Sequence, residues 1–349
     1  MPLVDAATGV ELAPGGPLRF VTAGLFDLQA NGAGGVSFNS GRLTPDEVRR
    51  AVACHVARGT TALLPTLVTN EPAAIRHALR TLALARADDP DLARRLPGFH
   101  MEGPWISPAN GYRGAHPVAH VSNPDWGLFE SFNEAAGGLI RLVTLAPERP
   151  GALPFIERLV AAGVVVALGH TEATGEQIRA AVDANARLTT HLGNGLPQEL
   201  PRHANPVWEL LSEDRLSASI IADGHHLPPA VLKAIVRAKS PERLILVSDA
   251  SSIAGMPPGR YRAWDQDVDL TSDGRVSLAG SPYLAGSGCF LEQCVAHLID
   301  VVGVDAASAL AMATARPRQL LGLPEPTASD CHPDDRVVFD ARGRRQPAE

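Results

Sequence analysis

Five short apolar runs in this chain end on, or just before, a residue able to bind a metal or move a proton. Glu102 stands in "PGFHMEG", His170 closes "VVVALGH", His191 lies in "RLTTHL", Asp223 in "SASIIADG" with His226 just beyond it, and Asp249 in "LILVSDA". If the runs are parallel strands of one barrel, the residues at their C-terminal ends meet at one mouth. Glu102, His170 and His191 then form a His₂Glu set with a fourth position left for water, the donor set of catalytic rather than structural zinc. Asp249 has a natural task beside such an ion. An opposite charge within about 4–6 Å keeps a carboxylate ionised, so Asp249 can take the proton of a water whose pKa the metal lowers toward about 7 and later hand it to a departing amine. Taken singly these residues also have plain structural readings, since "SDASS" and "GHTEAT" contain good helix N-caps. Their shared position at strand ends is what points to chemistry. His55, His77 and His297 fall in predicted helices and read as core or surface histidines.

The elements that must position this set alternate along the chain. Apolar runs at 23–29, 61–67, 97–103, 139–147, 164–170, 187–192, 217–224 and 244–250 read as strands. Most are separated by stretches of helical period such as "TPDEVRRAVACHVARG", "TGEQIRAAVDANA" and "PPAVLKAIVRAK", with Pro or acids at the start and Gly or basic residues at the end. Eight such units predict a (β/α)8 TIM-type barrel. After the eighth strand, "LAGSGCFLEQCVAHLIDVVG" and "DAASALAMATARPRQLLGL" predict two amphipathic helices, and "DDRVVFD" one more short strand. The expected organisation is a catalytic barrel with C-terminal helices over 23–329, beside a reduced accessory β-domain from 1–22 and 330–349.

Bulk composition narrows the partners. With 45% hydrophobic and 20% charged residues the chain has the balance of a soluble globular protein. Its net charge of −7 and the lack of any Lys/Arg-rich run outside the tail "ARGRR" argue against nucleic acid. No stretch of about 18 apolar residues argues for a membrane, and the N-terminus lacks a signal-peptide pattern. Four cysteines are too few for a disulfide framework, and Cys289 and Cys294 have neither zinc-knuckle nor redox spacing, which fits a cytoplasmic setting.

"HMEGPWISPANGYRGAHP", "ALGHTEAT", "TTHLGNGLP", "IIADGHH", "LVSDA" and "LAGS", in this order, resemble the N-acetylglucosamine-6-phosphate deacetylase family of the amidohydrolase superfamily, over roughly 24–340. The resemblance implies Glu102, His170 and His191 as metal ligands and Asp249 as acid and base. It also implies His116 as the residue that hydrogen-bonds the acyl group or sugar, His226 on a sugar hydroxyl, and Asn194 and Gly195 holding sugar or phosphate through backbone groups. Most amidohydrolases carry His-x-His at the end of the first strand; "DLQANG" has Gln29 and Asn31 there, and amides are poor metal ligands. The likeness therefore implies one divalent metal per chain, zinc being favoured, while His₂Glu also accepts iron, cobalt or manganese. Arg202, in "QELPRHANPVW", stands near the family's phosphate-holding arginine, with His203 and His225 as supplements. A homodimer acting on a small amino-sugar substrate is implied as well.

The reaction so expected is removal of the acetyl group of N-acetylglucosamine 6-phosphate. Two alternatives stay open at this point: deacylation of an N-acyl sugar or amino acid without phosphate, and non-catalytic sugar-phosphate binding.

Overall fold

The computed structural model describes residues 3–4, 11–12, 19–263, 266–281 and 284–347; the remainder of the expected 1–22 segment and the last two residues lie outside the described residues. Eight strands pair in chain order: β1 (Leu25–Ala30), β2 (Thr60–Val68), β3 (Phe99–Glu102), β4 (Ile140–Leu145), β5 (Val165–Leu168), β6 (Leu188–Thr189), β7 (Ser217–Ile221) and β8 (Leu244–Val247). The β2–β3, β3–β4, β4–β5, β5–β6 and β6–β7 ladders are parallel. Just past β8 the chain bonds back to β1, with a parallel bridge between Ala30 and Ala250, Asp249 N–H donating to the Gln29 carbonyl (2.9 Å) and Asn31 N–H to that of Ala250 (2.8 Å). These bonds close the sheet as a (β/α)8 barrel.

The strands form where the sequence is apolar on both faces, because each is covered by helices outside and side chains inside. All six residues of β1 are buried, and the period of two puts Asp27 and Gln29 on one face of it with Asn31 next in line. In β3 the same period puts His100 beside Glu102 in register. His100 Nε2 bonds Thr144 Oγ1 (2.8 Å), which meets Thr190 Oγ1 (2.7 Å), so a layer of satisfied polar groups lies one step further along these strands. Helix Pro45–Val56 starts with proline and two acids, and helix Gly175–Asp183 has a full capping box from Thr174 and Gln177.

The chain packs as two compact units. One comprises 1–36, 50–63 and 221–349 and the other 37–49 and 64–220. The first unit contains a five-stranded sheet from both ends of the chain, in the order Leu3–Val4, Glu11–Leu12, Arg19–Thr22, Val337–Asp340, Arg345–Gln346. Phe20 pairs with Phe339 there, and both are buried.

Two sequence expectations need correction in this unit. A four-stranded antiparallel sheet (Gly259–Ala263, Gln266–Leu270, Arg275–Leu278, Leu284–Ser287) follows β8, so "LAGS" at 284–287 is a strand and the helix begins only at Leu291. Gly286, at φ 83°, lies outside the right-handed helical region, which keeps this stretch out of the helix. The second expected helix is split into Ala306–Met312 and Ala315–Leu320. Pro317 can sit in the first turn of a helix, but its ring would clash with the carbonyl of Ala313 if the first helix ran on. The four cysteines form no disulfide, and no helix among the described residues is long and apolar enough to cross a membrane.

Candidate metal centre and active site

Four side chains of the second unit converge at strand ends. Glu102 ends β3, His170 and His191 each lie two residues past the end of β5 and β6, and His116 comes from the loop after β3. Glu102 Oε1 lies 3.3 Å from His170 Nε2 and 2.9 Å from His191 Nε2, and the two imidazole nitrogens are 3.1 Å apart. His116 Nε2 is 3.9 Å from the other carboxylate oxygen, Oε2. All four residues are buried. Glu102, His116 and His170 present donor atoms within 4.8 Å of one another, so geometry alone offers both His116 and His191 as a third ligand.

Hydrogen bonding separates them. His170 Nδ1 lies 2.9 Å from the main-chain carbonyl of Tyr112, which can only accept. The proton is therefore on Nδ1, and Nε2 turns a lone pair toward Glu102, as a metal-ligating imidazole does. His116 is arranged the other way. Its Nδ1 accepts from the Thr69 backbone N–H (3.3 Å) and lies 2.8 Å from Thr69 Oγ1, so in the neutral ring the proton is on Nε2. That nitrogen is a hydrogen-bond donor and not a ligand. Burial pushes the His116 imidazole down to about 3, with the neighbouring His170 adding to the effect, so the ring is neutral at any working pH. Glu102 is the opposite case: burial alone would raise its carboxyl, but the His170 and His191 imidazoles beside it hold it well below the usual carboxylate range. One ionised carboxylate between two imidazole nitrogens is a donor set that suits a divalent transition ion.

The backbone at three of the strand ends is strained. His170 (φ 49°), His191 (φ 30°) and Asp249 (φ 48°) are three of the five described non-glycine residues with positive φ. Such conformations cost of order 1–3 kcal/mol each and persist only where surrounding structure imposes them. Gly195 (φ 62°) supplies part of that surround for His170: a Cβ there would stand 2.8 Å from its Nδ1. Gly195→Ala should push the ring off the Tyr112 carbonyl and lower metal affinity by about tenfold or more, read by competition with a chromophoric chelator. Asn194 braces the same turn, its side-chain amide and backbone N–H both donating to the His191 carbonyl (3.2 and 2.9 Å).

Asp249 belongs to the first unit, directly after β8. Its Oδ1 accepts from Asn31 Nδ2 (2.7 Å) and Gln29 Nε2 (3.2 Å). The two amides at the His-x-His positions thus hydrogen-bond a carboxylate. In the same unit Asp223 follows β7. Its Oδ2 takes His226 Nδ1–H (2.8 Å) and the Ser287 hydroxyl (3.2 Å), and Oδ1 takes the backbone N–H groups of His225 and His226 (both 2.9 Å). Burial would raise Asp223, yet His226 outweighs it and keeps the carboxyl far below its ordinary value. His226 Nε2 is left as an acceptor.

The remaining candidates make other contacts. His225 Nε2 donates to the Asp273 carbonyl (3.1 Å) in the hairpin sheet. Arg202 and His203 are exposed; the Arg202 carbonyl accepts from Trp208 Nε1 (3.1 Å), and its guanidinium makes no hydrogen bond or ion pair among the described residues. Sequence reasoning missed Thr69 and Tyr112, which set the ring tautomers, and Asp27 and Ser248 beside Asp249. Only Asp27 carried a signal, a charged residue inside an apolar run.

Residues 20–328 match the amidohydrolase family. The chain is 37% identical over 315 residues to the N-acetylglucosamine-6-phosphate deacetylase of Bos taurus, covering 86% of this chain and 74% of that protein. It is 34% identical over 298 residues to the N-acetylgalactosamine-6-phosphate deacetylase of Escherichia coli O157:H7 (85% and 77%). Its fold is similar, with a TM-score of 0.84 and 36% identity, to a variant of N-acetyl-D-glucosamine-6-phosphate deacetylase from Mycobacterium smegmatis in complex with N-acetyl-D-glucosamine-6-phosphate, over 95% of this chain and 87% of that one. The chain belongs to the amidohydrolase family and, within it, to the N-acetylglucosamine-6-phosphate deacetylases.

Proposed function

We propose that this protein removes the acetyl group of N-acetylglucosamine 6-phosphate, releasing acetate and glucosamine 6-phosphate. The observation that carries the reading is the convergence of Glu102 with His170 and His191, the proton of His170 being fixed on the far nitrogen. These three residues would hold one divalent ion, zinc by the chemistry of the donors. Such an ion polarises an amide carbonyl and lowers the pKa of a water toward about 7. His116 donates Nε2–H to the acetyl oxygen as negative charge builds there, and Thr69 holds the ring for that purpose. Asp249 accepts the proton of the attacking water and returns it to the sugar nitrogen as the C–N bond breaks. Gln29 and Asn31 support the ionised carboxylate in the first half of that exchange.

His226 binds a sugar hydroxyl through Nε2, and the Asn194–Gly195 turn faces the sugar or its phosphate. Arg202 binds the phosphate, its guanidinium being unengaged among the described residues and suited to bidentate phosphate contact. By likeness to the family the protein works as a cytoplasmic homodimer. Acetate release should be measured on N-acetylglucosamine and N-acetylgalactosamine, each with and without a 6-phosphate. The expected result is kcat/KM at least 100-fold higher with the phosphate, and for Arg202→Ala a KM raised about tenfold for phosphorylated substrates alone. Equal rates with and without phosphate would move the function to the phosphate-free N-acyl compounds.

A further inference from the structure

Asp27 is wholly buried in the middle of β1 and no cation pairs with it among the described residues. Its Oδ1 accepts the backbone N–H groups of Gln29 (3.1 Å) and Ser248 (3.2 Å), and its Oδ2 accepts the Ser248 hydroxyl (2.5 Å). Burial pushes the carboxyl up to about 7 despite these bonds, so an acid at this position costs stability that an apolar residue would not. What it gains is a clamp. Ser248 Oγ, held by Asp27, in turn accepts the N–H of Ala250 (3.0 Å). Asp249, between Ser248 and Ala250, is in the left-handed region and donates its own N–H to the Gln29 carbonyl (2.9 Å). Gln29 completes the loop by bonding the Asp249 carboxylate.

We propose that Asp27 is the positioning residue of the acid/base, holding the Gln29 and Asp249 segments together through Ser248 so that Asp249 keeps its strained backbone and its carboxylate direction. The chain of contacts runs Asp27 to Ser248 to Ala250 on one side and Asp27 to Gln29 to Asp249 on the other. Every link is a hydrogen bond within one compact unit. The chemical part of this inference rests on the deacetylase reading, whereas the structural part does not.

Two readouts keep the two apart. Hydrogen exchange followed by mass spectrometry on the intact protein reads the Asp249 and Ala250 amides whatever the substrate is. Asp27→Ala should lower their protection at least tenfold while strands β3 to β6 keep theirs. In steady-state assays the same variant should lose about 100-fold in kcat, the scale of a misplaced catalytic group, with KM within threefold and metal content unchanged. Asp27→Asn retains an acceptor oxygen for the two N–H groups and can donate to Ser248 Oγ, so it should recover to within tenfold of the parent. Ser248→Ala, which leaves the carboxylate in place but cuts the Ala250 link, should lose about tenfold in kcat and protection at Ala250; it carries the test if Asp27→Ala does not fold. Unchanged protection at both amides in Asp27→Ala, or in Ser248→Ala where that variant stands in, overturns the proposal. So does an Asp27→Asn variant as impaired as Asp27→Ala, which would mark Asp27 as a proton carrier instead. A parent chain that releases no acetate while the protection changes appear as expected would remove the deacetylase reading and leave the clamp standing.

Discussion

Asp249→Asn should lower kcat by about 10³-fold while leaving the metal content of the purified protein as it was. The substitution is nearly isosteric, and asparagine tolerates a positive φ better than almost any other residue with a side chain, so the φ of 48° at this position adds little new strain. An amide oxygen still accepts from Asn31 Nδ2 and Gln29 Nε2. What is lost is the capacity to take up a proton, and general acid–base groups contribute roughly 10²–10⁴-fold. Asp249 is moreover asked to act twice, as base and then as acid. Steady-state kinetics beside elemental analysis make the test. Activity within tenfold of the parent would remove Asp249 from the mechanism, and loss of metal together with activity would make it a ligand.

Glu102→Gln should weaken metal binding by at least 100-fold and carry turnover down with it. The parent carboxylate, with Oε1 3.3 and 2.9 Å from the two imidazole nitrogens, is held well below its usual range and is therefore ionised. A neutral amide keeps the volume and part of the hydrogen bonding but withdraws the only negative charge that the three proposed ligands supply. Thermal unfolding provides a readout free of substrate. A ligand that binds only the folded state stabilises it by about 2.7 kcal/mol at 100 times its dissociation constant, so stripping the metal with a chelator should lower the parent's Tm by several degrees. The same treatment should leave Glu102→Gln almost unmoved. A variant that keeps the parent's metal stoichiometry and its chelator response would show that Glu102 is not a ligand.

The barrel was legible because its strands, two to nine residues long, are mostly buried on both faces and therefore lie in largely apolar runs. The ends of those runs announced Glu102, His170, His191 and Asp249, since a polar residue there has no core reason to be present. The four-stranded sheet after β8 was not read, although "TSDGR" at 271–275 is a turn signal between alternating segments. One face of that sheet is exposed: Arg260, Arg262 and Asp267, paired on one side, lie in solvent, while Val268, Leu270 and Val276 on the other are buried. A run half polar by position carries a weaker signature than a doubly buried one. The ring tautomers were out of reach for a different reason. His116 and His170 look alike as letters, and what separates them is a backbone N–H at Thr69 and a backbone carbonyl at Tyr112. Main-chain partners leave no mark on residue type.

That last point bears on how the Tyr112 carbonyl could ever be probed. Any amino acid at position 112 presents the same oxygen to His170, so scanning mutagenesis that walks through side chains would score the position as dispensable. Its contribution would surface only through edits of the chain itself, such as an ester in place of the amide or a one-residue deletion in the 108–118 loop. Libraries that vary the length of this loop should accordingly contain far more metal-deficient clones than libraries that vary its letters.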